Sequence, residues 1–143
     1  MFLLLITLLI PVFTDIFAML TGMIFGGRKL CPKISPNKTV SGAIGGLLWG
    51  VIGSVLAYII FNSIVEFELI FTTINFKLWH FIVLGLIGSL FSQIGDIFES
   101  YLKRKANMKD SGDSLPGHGG YLDRIDSHLF NVLVIFIFCI IIL

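Results

Sequence analysis

The segment SYLKRKANMKDSGDSLPGHGGYLDRID, residues 100–126, is the one long polar stretch of a very apolar chain. Extended by one residue at each end, to 99–127, it holds five of the ten basic residues and five of the nine acidic ones. Apolar runs lie on both sides of it. A polar segment between apolar runs long enough to cross a bilayer predicts membrane helices joined by a loop that carries the chemistry.

The composition supports the same interpretation. Of the 143 residues, 56% are hydrophobic and 13% are charged, and the mean hydropathy is +0.97. A soluble domain of this length does not need so much apolar surface, so we expect an all-α integral membrane protein with about four transmembrane helices in one membrane domain, 1–143. The net charge of +1 gives no reason to expect a nucleic-acid partner. Cys31 and Cys139 are poorly placed to pair, and no disulfide is expected.

Four apolar runs supply the predicted spans. They cover residues 1–25, 41–61, 78–98 and 129–143. The fourth is short for a hydrocarbon core of ~30 Å, unless it begins near Ser127. The mixed segment 62–77 is expected at the far membrane interface. Small residues recur every four positions in the second run and predict a ridge for close helix packing: Gly42, Gly46, Gly50 and Ser54.

The basic residues predict an orientation. Nine of the ten lysines and arginines lie in two loops, 26–40 and 99–127. Two predicted spans separate these loops, so both lie on one side, which the positive-inside rule makes the cytoplasm. The expected location is therefore the cell membrane, with a multi-pass topology and both basic loops cytoplasmic. The basic residues of 26–40 allow two interpretations, a phosphate contact or a positive-inside anchor.

Two aspartates lie within or at the end of apolar runs. Asp15 lies inside the first run, where an ionisable residue is costly and normally faces a bundle interior or a wet cavity. An interface position or a broken helix is the alternative. Asp96 belongs to a stripe predicted to point inward and emerge at the cytosolic surface, although a simple helix-end charge is also consistent with it. The stripe comprises Gly85, Ser89, Ser92, Asp96, Ser100 and Lys103.

The polar segment combines three features that a phosphate-and-metal site needs. Lysine and arginine neutralise phosphate charge, a glycine-rich turn lets backbone N–H groups approach an anion, and spaced carboxylates hold Mg²⁺. Asp123 and Asp126 are three residues apart, so on a helix they share a face. Together with Asp96 they are the candidate Mg²⁺ ligands. Solvated charges that balance the nearby lysines are the alternative.

Within this segment, five elements in a fixed order resemble the signature of the phosphatidate cytidylyltransferases, also called CDP-diglyceride synthetases. They are Ser100, the pair Lys103 and Arg104, the pair Lys109 and Asp110, PGHGG at 116–120 and DRID at 123–126. TDIFA around Asp15 and SPNKT at 35–39 resemble the same family. The resemblance covers nearly the whole chain and corresponds to the C-terminal half of family members, which are about twice as long.

The resemblance implies transfer of a cytidylyl group from CTP to phosphatidate, giving CDP-diacylglycerol and pyrophosphate in phospholipid biosynthesis, with Mg²⁺ as cofactor. It implies Mg²⁺ ligation by Asp96, Asp123 and Asp126. His118 remains open between a phosphate donor and a turn-stabilising side chain. The implied catalytic residues are Asp96, Lys103, Arg104, Lys109, Asp110, His118, Asp123 and Arg124. The implied substrate contacts are Asp15, Ser35, Lys38, Thr39, Ser100, Gly117, Gly119 and Gly120.

The implied partners are CTP, phosphatidate and the lipid bilayer. We expect the chain to work as a homodimer or together with a missing N-terminal half. The alternative is a truncated or inactive cytidylyltransferase-like membrane protein that acts as a remnant or an assembly partner.

Overall fold

The computed structural model describes residues 2–63, 77–108 and 122–142, and at residues 2–4, 122–126 and 142 it describes the backbone alone. Three of its helices are long and apolar enough to cross a membrane, and the fourth contributes a shorter apolar stretch, Ser127–Ile141. The predicted all-α membrane class is confirmed. The elements are α1 (Phe2–Phe25), β1 (Lys29–Cys31), β2 (Ser35–Thr39), α2 (Val40–Asn62), α3 (Leu78–Lys105) and α4 (Leu122–Ile142).

Two helices extend into the polar segment 99–127. Helix α3 continues to Lys105, and α4 begins at Leu122, so both ends of the predicted loop are helical. The last turn of α3 carries three basic residues, which the negative end of the helix dipole favours. The 21 residues of α4 reach about 31 Å. Its apolar stretch, Ser127–Ile141, reaches only about 22 Å, so the fourth span stays short for a core of ~30 Å. The predicted interface segment 62–77 lies largely outside the described residues, at 64–76.

The basic segment 26–40, expected as a plain loop, contains an antiparallel hairpin formed by β1 and β2. The Ile34 N–H donates to the Cys31 carbonyl at 3.1 Å and closes a four-residue turn. Pro32 occupies the second position of this turn, where its fixed φ is favourable. Because the strands are short and carry Pro36 and several lysines, alternation of apolar and polar residues gave no strand signal.

Both ends of the hairpin are fixed to helices. Gly26 adopts a φ of +58°, and its N–H donates to the Gly22 carbonyl at 3.1 Å, a conformation that glycine permits at a helix C-terminus. At the other end, the Thr39 side chain accepts a hydrogen bond from the Gly42 N–H at 3.1 Å and caps α2. Thr39 is therefore the N-cap of α2.

The helices pack in chain order, and α1 also contacts α3 and α4. The predicted small-residue ridge of α2 is buried in this bundle. A Cβ at Gly46 would lie 2.9 Å from the Ala18 Cβ on α1, and one at Gly50 would overlap the Ser89 hydroxyl on α3. The ridge therefore allows both α1 and α3 to approach α2 closely, as expected for a structural role. The outward helix faces carry exposed large apolar side chains, as expected for helices that meet lipid.

Candidate functional site

A cavity of about 680 Å³ lies where the end of α1, the hairpin, the start of α2 and the second half of α3 meet. Four glycines line it: Gly22, Gly26, Gly27 and Gly42. Its uncharged polar lining is Asn37, Thr39 and Gln93, and its charged lining is Asp15, Lys29, Lys38 and Asp96. The cavity thus combines both signs of charge at one end of an apolar bundle.

Lys38 and Asp96 form an ion pair across the cavity. The lysine Nζ lies 2.5 Å from the aspartate Oδ2, and the side chains are 25% and 34% exposed. The pair joins strand β2 to helix α3, so it fixes the hairpin over the cavity. Because both side chains retain contact with solvent, the pair is accessible to a charged ligand.

Asp15 has a different kind of partner. Its Oδ2 accepts a hydrogen bond from the Ser127 hydroxyl at 3.1 Å, and it lies close enough to Asp96 and Lys38 for the charges to interact. Within the described ranges, Asp15 has no ion-pair partner. The cavity therefore contains two carboxylates, one of them compensated by a lysine and the other held by a neutral hydroxyl.

Gln93 lies three residues before Asp96 and also lines the cavity. Its amide nitrogen donates to the Ala43 carbonyl at 3.1 Å, so α3 is tied to the first turns of α2. With the nitrogen engaged, the amide oxygen is the remaining polar atom of this side chain. It is a neutral acceptor on the same wall as Asp96.

The described part of the cavity has the chemistry that Mg²⁺ requires. Carboxylate oxygens of Asp15 and Asp96 and the amide oxygen of Gln93 are hard donors, and Mg²⁺ prefers a few such ligands plus substrate phosphates. Among the side chains that the structure describes, at residues 5–63, 77–108 and 127–141, there is no group of three His, Cys, Asp or Glu suited to a metal. Of the predicted ligands Asp96, Asp123 and Asp126, the structure describes only the Asp96 side chain. The donors present fit Mg²⁺, and the full predicted ligand set stays a prediction.

The structure brings four predicted site residues together. Asp15, Lys38, Thr39 and Asp96 all line the cavity, although they come from three separate elements, α1, β2 and α3. For Asp15, this favours a wet cavity over a broken helix, because α1 is continuous from Phe2 to Phe25. Ser35 and Ser100 are half-buried, on β2 and α3 respectively, outside the cavity lining.

Lys103 and Arg104, predicted to neutralise phosphates, have partners within the protein. The Lys103 ammonium lies 2.6 Å from Glu99, one turn earlier on α3, and Glu99 is 5% exposed. Arg104 donates through Nε to the Ile34 carbonyl at 3.3 Å, which ties the end of α3 to the hairpin turn. Neither residue lines the cavity, and their contact with phosphate stays a prediction.

The remaining predicted residues are not described at the level of side chains. Asp123, Arg124 and Asp126 lie in the first turns of α4, so the helix required by the spacing of the two aspartates is present. The others lie outside the described residues: Lys109, Asp110, Gly117, His118, Gly119 and Gly120.

Sequence reasoning missed three polar residues of the interior, Gln93, Ser127 and Asn131. Each stands in or beside an apolar run, and uncharged polar side chains in membrane helices commonly form hydrogen bonds between helices. Asn131 donates to the Thr7 carbonyl at 2.8 Å and is fully buried. The position of these residues inside apolar runs was the signal that could have identified them.

The model of the cytidylyltransferase family matches residues 1–142 of this chain. The chain belongs to the cytidylyltransferase family. The family assignment predicted from residues 100–126 is thereby confirmed, and it extends over all the elements that form the cavity.

Curated relatives in this family carry the name phosphatidate cytidylyltransferase. The protein of Rickettsia prowazekii is 44% identical over 122 residues, covering 85% of this chain and 51% of that protein. The protein of Rickettsia conorii is 39% identical over 123 residues, covering 86% and 51%. The protein of Staphylococcus saprophyticus is 40% identical over 127 residues, covering 85% and 45%. The chain spans about half the length of the curated relatives it matches.

Proposed function

We propose that this chain catalyses, or forms the catalytic half of an enzyme that catalyses, cytidylyl transfer from CTP to phosphatidate. The products are CDP-diacylglycerol and pyrophosphate. The observation that carries the proposal is the cavity that unites Asp15, Lys38 and Asp96 at one end of an apolar helix bundle. A polar substrate and a lipid headgroup can meet at such a position, and relatives over 85% of the chain are named for this reaction.

The reaction requires little covalent chemistry from the protein. A phosphate oxygen of phosphatidate attacks the α-phosphorus of CTP, forming one P–O bond. The bond from that phosphorus to the bridging oxygen breaks, and pyrophosphate leaves with the electron pair. The lipid phosphate is already ionised at neutral pH, so no strong general base is needed. Catalysis then consists of positioning and of neutralising phosphate charge.

The cavity residues suit these two tasks. Lys38 is held by Asp96 before a substrate arrives, so its ammonium is placed where a phosphate group can contact it as a point charge. Lys29, on the neighbouring strand, lines the same cavity. The N-terminus of α2, where Thr39 and Gly42 line the cavity, adds the positive end of the helix dipole. Three sources of positive potential therefore converge on one cavity.

Asp15 and Asp96 are the residues that we propose hold Mg²⁺, with Asp123 and Asp126 as the further ligands implied by the family signature. When bound, the ion neutralises charge on the phosphates of CTP. Asp15, first predicted as a substrate contact, joins Asp96 because the cavity brings the two carboxylates together. Two carboxylates near each other are most stable with a cation between them.

The orientation and the assembly are part of the same proposal. CTP is a cytoplasmic substrate, so both basic segments are placed on the cytoplasmic side of the cell membrane, in agreement with the positive-inside count. A second copy of the chain, or a segment equivalent to the other half of the relatives, would complete the active assembly. The length shared with the relatives, about half of theirs, supports this expectation.

The test is CDP-lipid formation by the purified chain in mild detergent, measured with radiolabelled CTP and phosphatidate. We expect Mg²⁺-dependent product in the wild type and none above background with Asp96→Asn, whose amide lacks the charge needed for Lys38 and for a cation. Lys33→Met on the same hairpin is the control, because Lys33 is exposed and does not line the cavity. A folded wild-type chain without turnover, alone and with the other half of a relative added, would support the non-catalytic alternative.

A further inference from the structure

Pro11 lies in the middle of α1, and its nitrogen carries no hydrogen. In a regular helix, the N–H of residue 11 donates to the carbonyl of Thr7, four residues earlier, and a proline cannot. The side-chain amide of Asn131 on α4 donates to that carbonyl, with an Nδ2–O distance of 2.8 Å. Asn131 is fully buried. Helix α4 thus supplies, inside the apolar bundle, a donor to the carbonyl that the residue 11 nitrogen cannot reach with a hydrogen bond.

The Asn131 amide packs closely against α3. A Cβ at Gly88 on α3 would lie 2.7 Å from the Asn131 Oδ1, so a larger residue at 88 would require the amide to move. The same added atom would lie 3.2 Å from Ile10, which places α1 against this point as well. Three helices therefore meet at the Asn131 amide, and its bond to Thr7 defines how α4 is placed along α1.

Ser127 lies one helical turn before Asn131 and on the same face of α4. Its hydroxyl donates to the Asp15 Oδ2 at 3.1 Å, and the residue is 3% exposed. The two hydrogen bonds link α4 to α1 at two points, the Thr7 carbonyl one turn before Pro11 and the Asp15 carboxylate in the cavity. Asp123 and Asp126 lie on the turns that directly precede this link.

We propose that Ser127 is a positioning residue for the Asp15 carboxylate, and that the Asn131–Thr7 bond holds α4 at the place where Ser127 reaches it. The hydroxyl fixes the orientation of an aspartate that otherwise lacks a charged partner in the described residues. The inference rests on the proposed function in one respect, because it takes Asp15 as a ligand of the cation that accompanies CTP. The link itself is independent of turnover.

A double-mutant cycle tests the link. Asn131→Leu removes the donor, and we expect it to lower the Tm of the full chain in mild detergent by about 5 °C, because a buried hydrogen bond between α4 and α1 is lost. In a Pro11→Ala background, the new N–H of residue 11 can donate to Thr7, so the same substitution should lower the Tm by much less. Equal losses in both backgrounds would overturn the role of Asn131.

Divalent-cation binding tests the positioning of Asp15. Mn²⁺ titrated into the purified chain without CTP, and followed by electron paramagnetic resonance, should bind about tenfold more weakly to Ser127→Ala. Ser127→Thr keeps the hydroxyl and should restore the affinity. Ser89→Ala is the matched control, because the Ser89 hydroxyl is buried but donates to Gly85 within its own helix.

The outcomes separate this inference from the proposed function. Weaker Mn²⁺ binding in Ser127→Ala, with Tm unchanged, supports positioning even if the chain makes no CDP-lipid alone. Where turnover is present, the same variant should raise the half-saturating Mg²⁺ concentration and leave kcat at saturating Mg²⁺ nearly unchanged. Mn²⁺ affinity equal to that of the wild type, or a wild type that binds no Mn²⁺, would overturn the assignment of Ser127.

Discussion

The Lys38 ammonium lies 2.5 Å from the Asp96 carboxylate, and this contact joins the hairpin to the helix that leads into the polar segment. The Arg104 guanidinium adds a second tie, to the carbonyl of Ile34 in the hairpin turn. The hairpin is therefore held at its second strand and at its tip. Because the hairpin is held in this way, Lys38 is already in position before a substrate binds. This lowers the entropic cost of a contact between its ammonium and a phosphate group.

Removing the Lys38 charge tests this arrangement. Lys38→Met keeps most of the side-chain volume, and we expect kcat/KM for CTP to fall by about 10- to 100-fold, since a charged hydrogen-bond partner of a phosphate is lost. Steady-state rates of CDP-lipid formation give the value. Lys33→Met provides the comparison on the same hairpin and should leave the rate within twofold, roughly the scale of surface charge effects. Equal losses in the two variants would show that the hairpin acts through its total charge.

The second prediction concerns the small-residue ridge of α2. Gly50→Leu would overlap the Ser89 hydroxyl on α3 and place a Cβ 2.6 Å from the Thr14 Oγ1 on α1. We expect a destabilisation of about 1–3 kcal/mol or more and a lower folded yield in mild detergent, measured by monodisperse size-exclusion peaks. Leu48→Phe adds bulk on the exposed face of the same helix and should leave the yield unchanged. Normal yield with an altered KM for CTP would instead place the ridge on the substrate path.

Periodicity in the sequence was sufficient to predict the bundle interior. Steps of three and four placed Gly85, Ser89 and Ser92 on one face, and all three are buried. The same argument placed Asp96 at the end of that face, where it lines the cavity. The position of Asp15 inside an apolar run predicted a bundle interior or a wet cavity, and Asp15 lines the cavity. These predictions succeeded because helix geometry alone converts spacing into a shared face.

Contacts between distant segments could not be predicted in this way. The ion pair of Lys103 with Glu99 follows ordinary helix spacing, but whether Lys103 also reaches a substrate depends on the tertiary position of α3. The ion pair of Lys38 with Asp96 depends on a hairpin whose strands show no apolar alternation. The bond from Asn131 to Thr7 requires knowing which polar residue of another helix faces Pro11. Spacing within one segment contains no such information.

The third prediction concerns topology. An impermeant maleimide added outside intact cells should label neither the native Cys31 in the hairpin nor the cysteine of Lys105→Cys. The proposed orientation places both the hairpin and the end of α3 in the cytoplasm. The experiment uses a Cys139→Ala background, and the second substitution adds Cys31→Ser. Lysis before labelling should expose both sites.

The opposite end of the bundle provides the positive control. Ser63 follows α2 at its far end and is exposed, so Ser63→Cys in a background without Cys31 and Cys139 should be labelled from outside. Labelling of Cys31 or of Lys105→Cys from outside would contradict the proposed orientation. Labelling of one of these two alone would contradict the arrangement in which α2 and α3 return the chain to the same side.

The last prediction is that CDP-lipid formation accompanies an assembly larger than one chain. Met19 and Met23 line the cavity and yet are 59% and 65% exposed, so no described residue covers the α1 side of the cavity. The chain matches only about half the length of its curated relatives, and a second copy or the other half would provide further helices for that side. Light scattering and CTP turnover, measured on the same size-exclusion peak in mild detergent, give the mass and the activity of the same species and so test the prediction. We expect activity in a dimer, or only after the other half of a relative is added. Full turnover in a monodisperse monomer would contradict the prediction and would show that one copy of the chain suffices for the reaction.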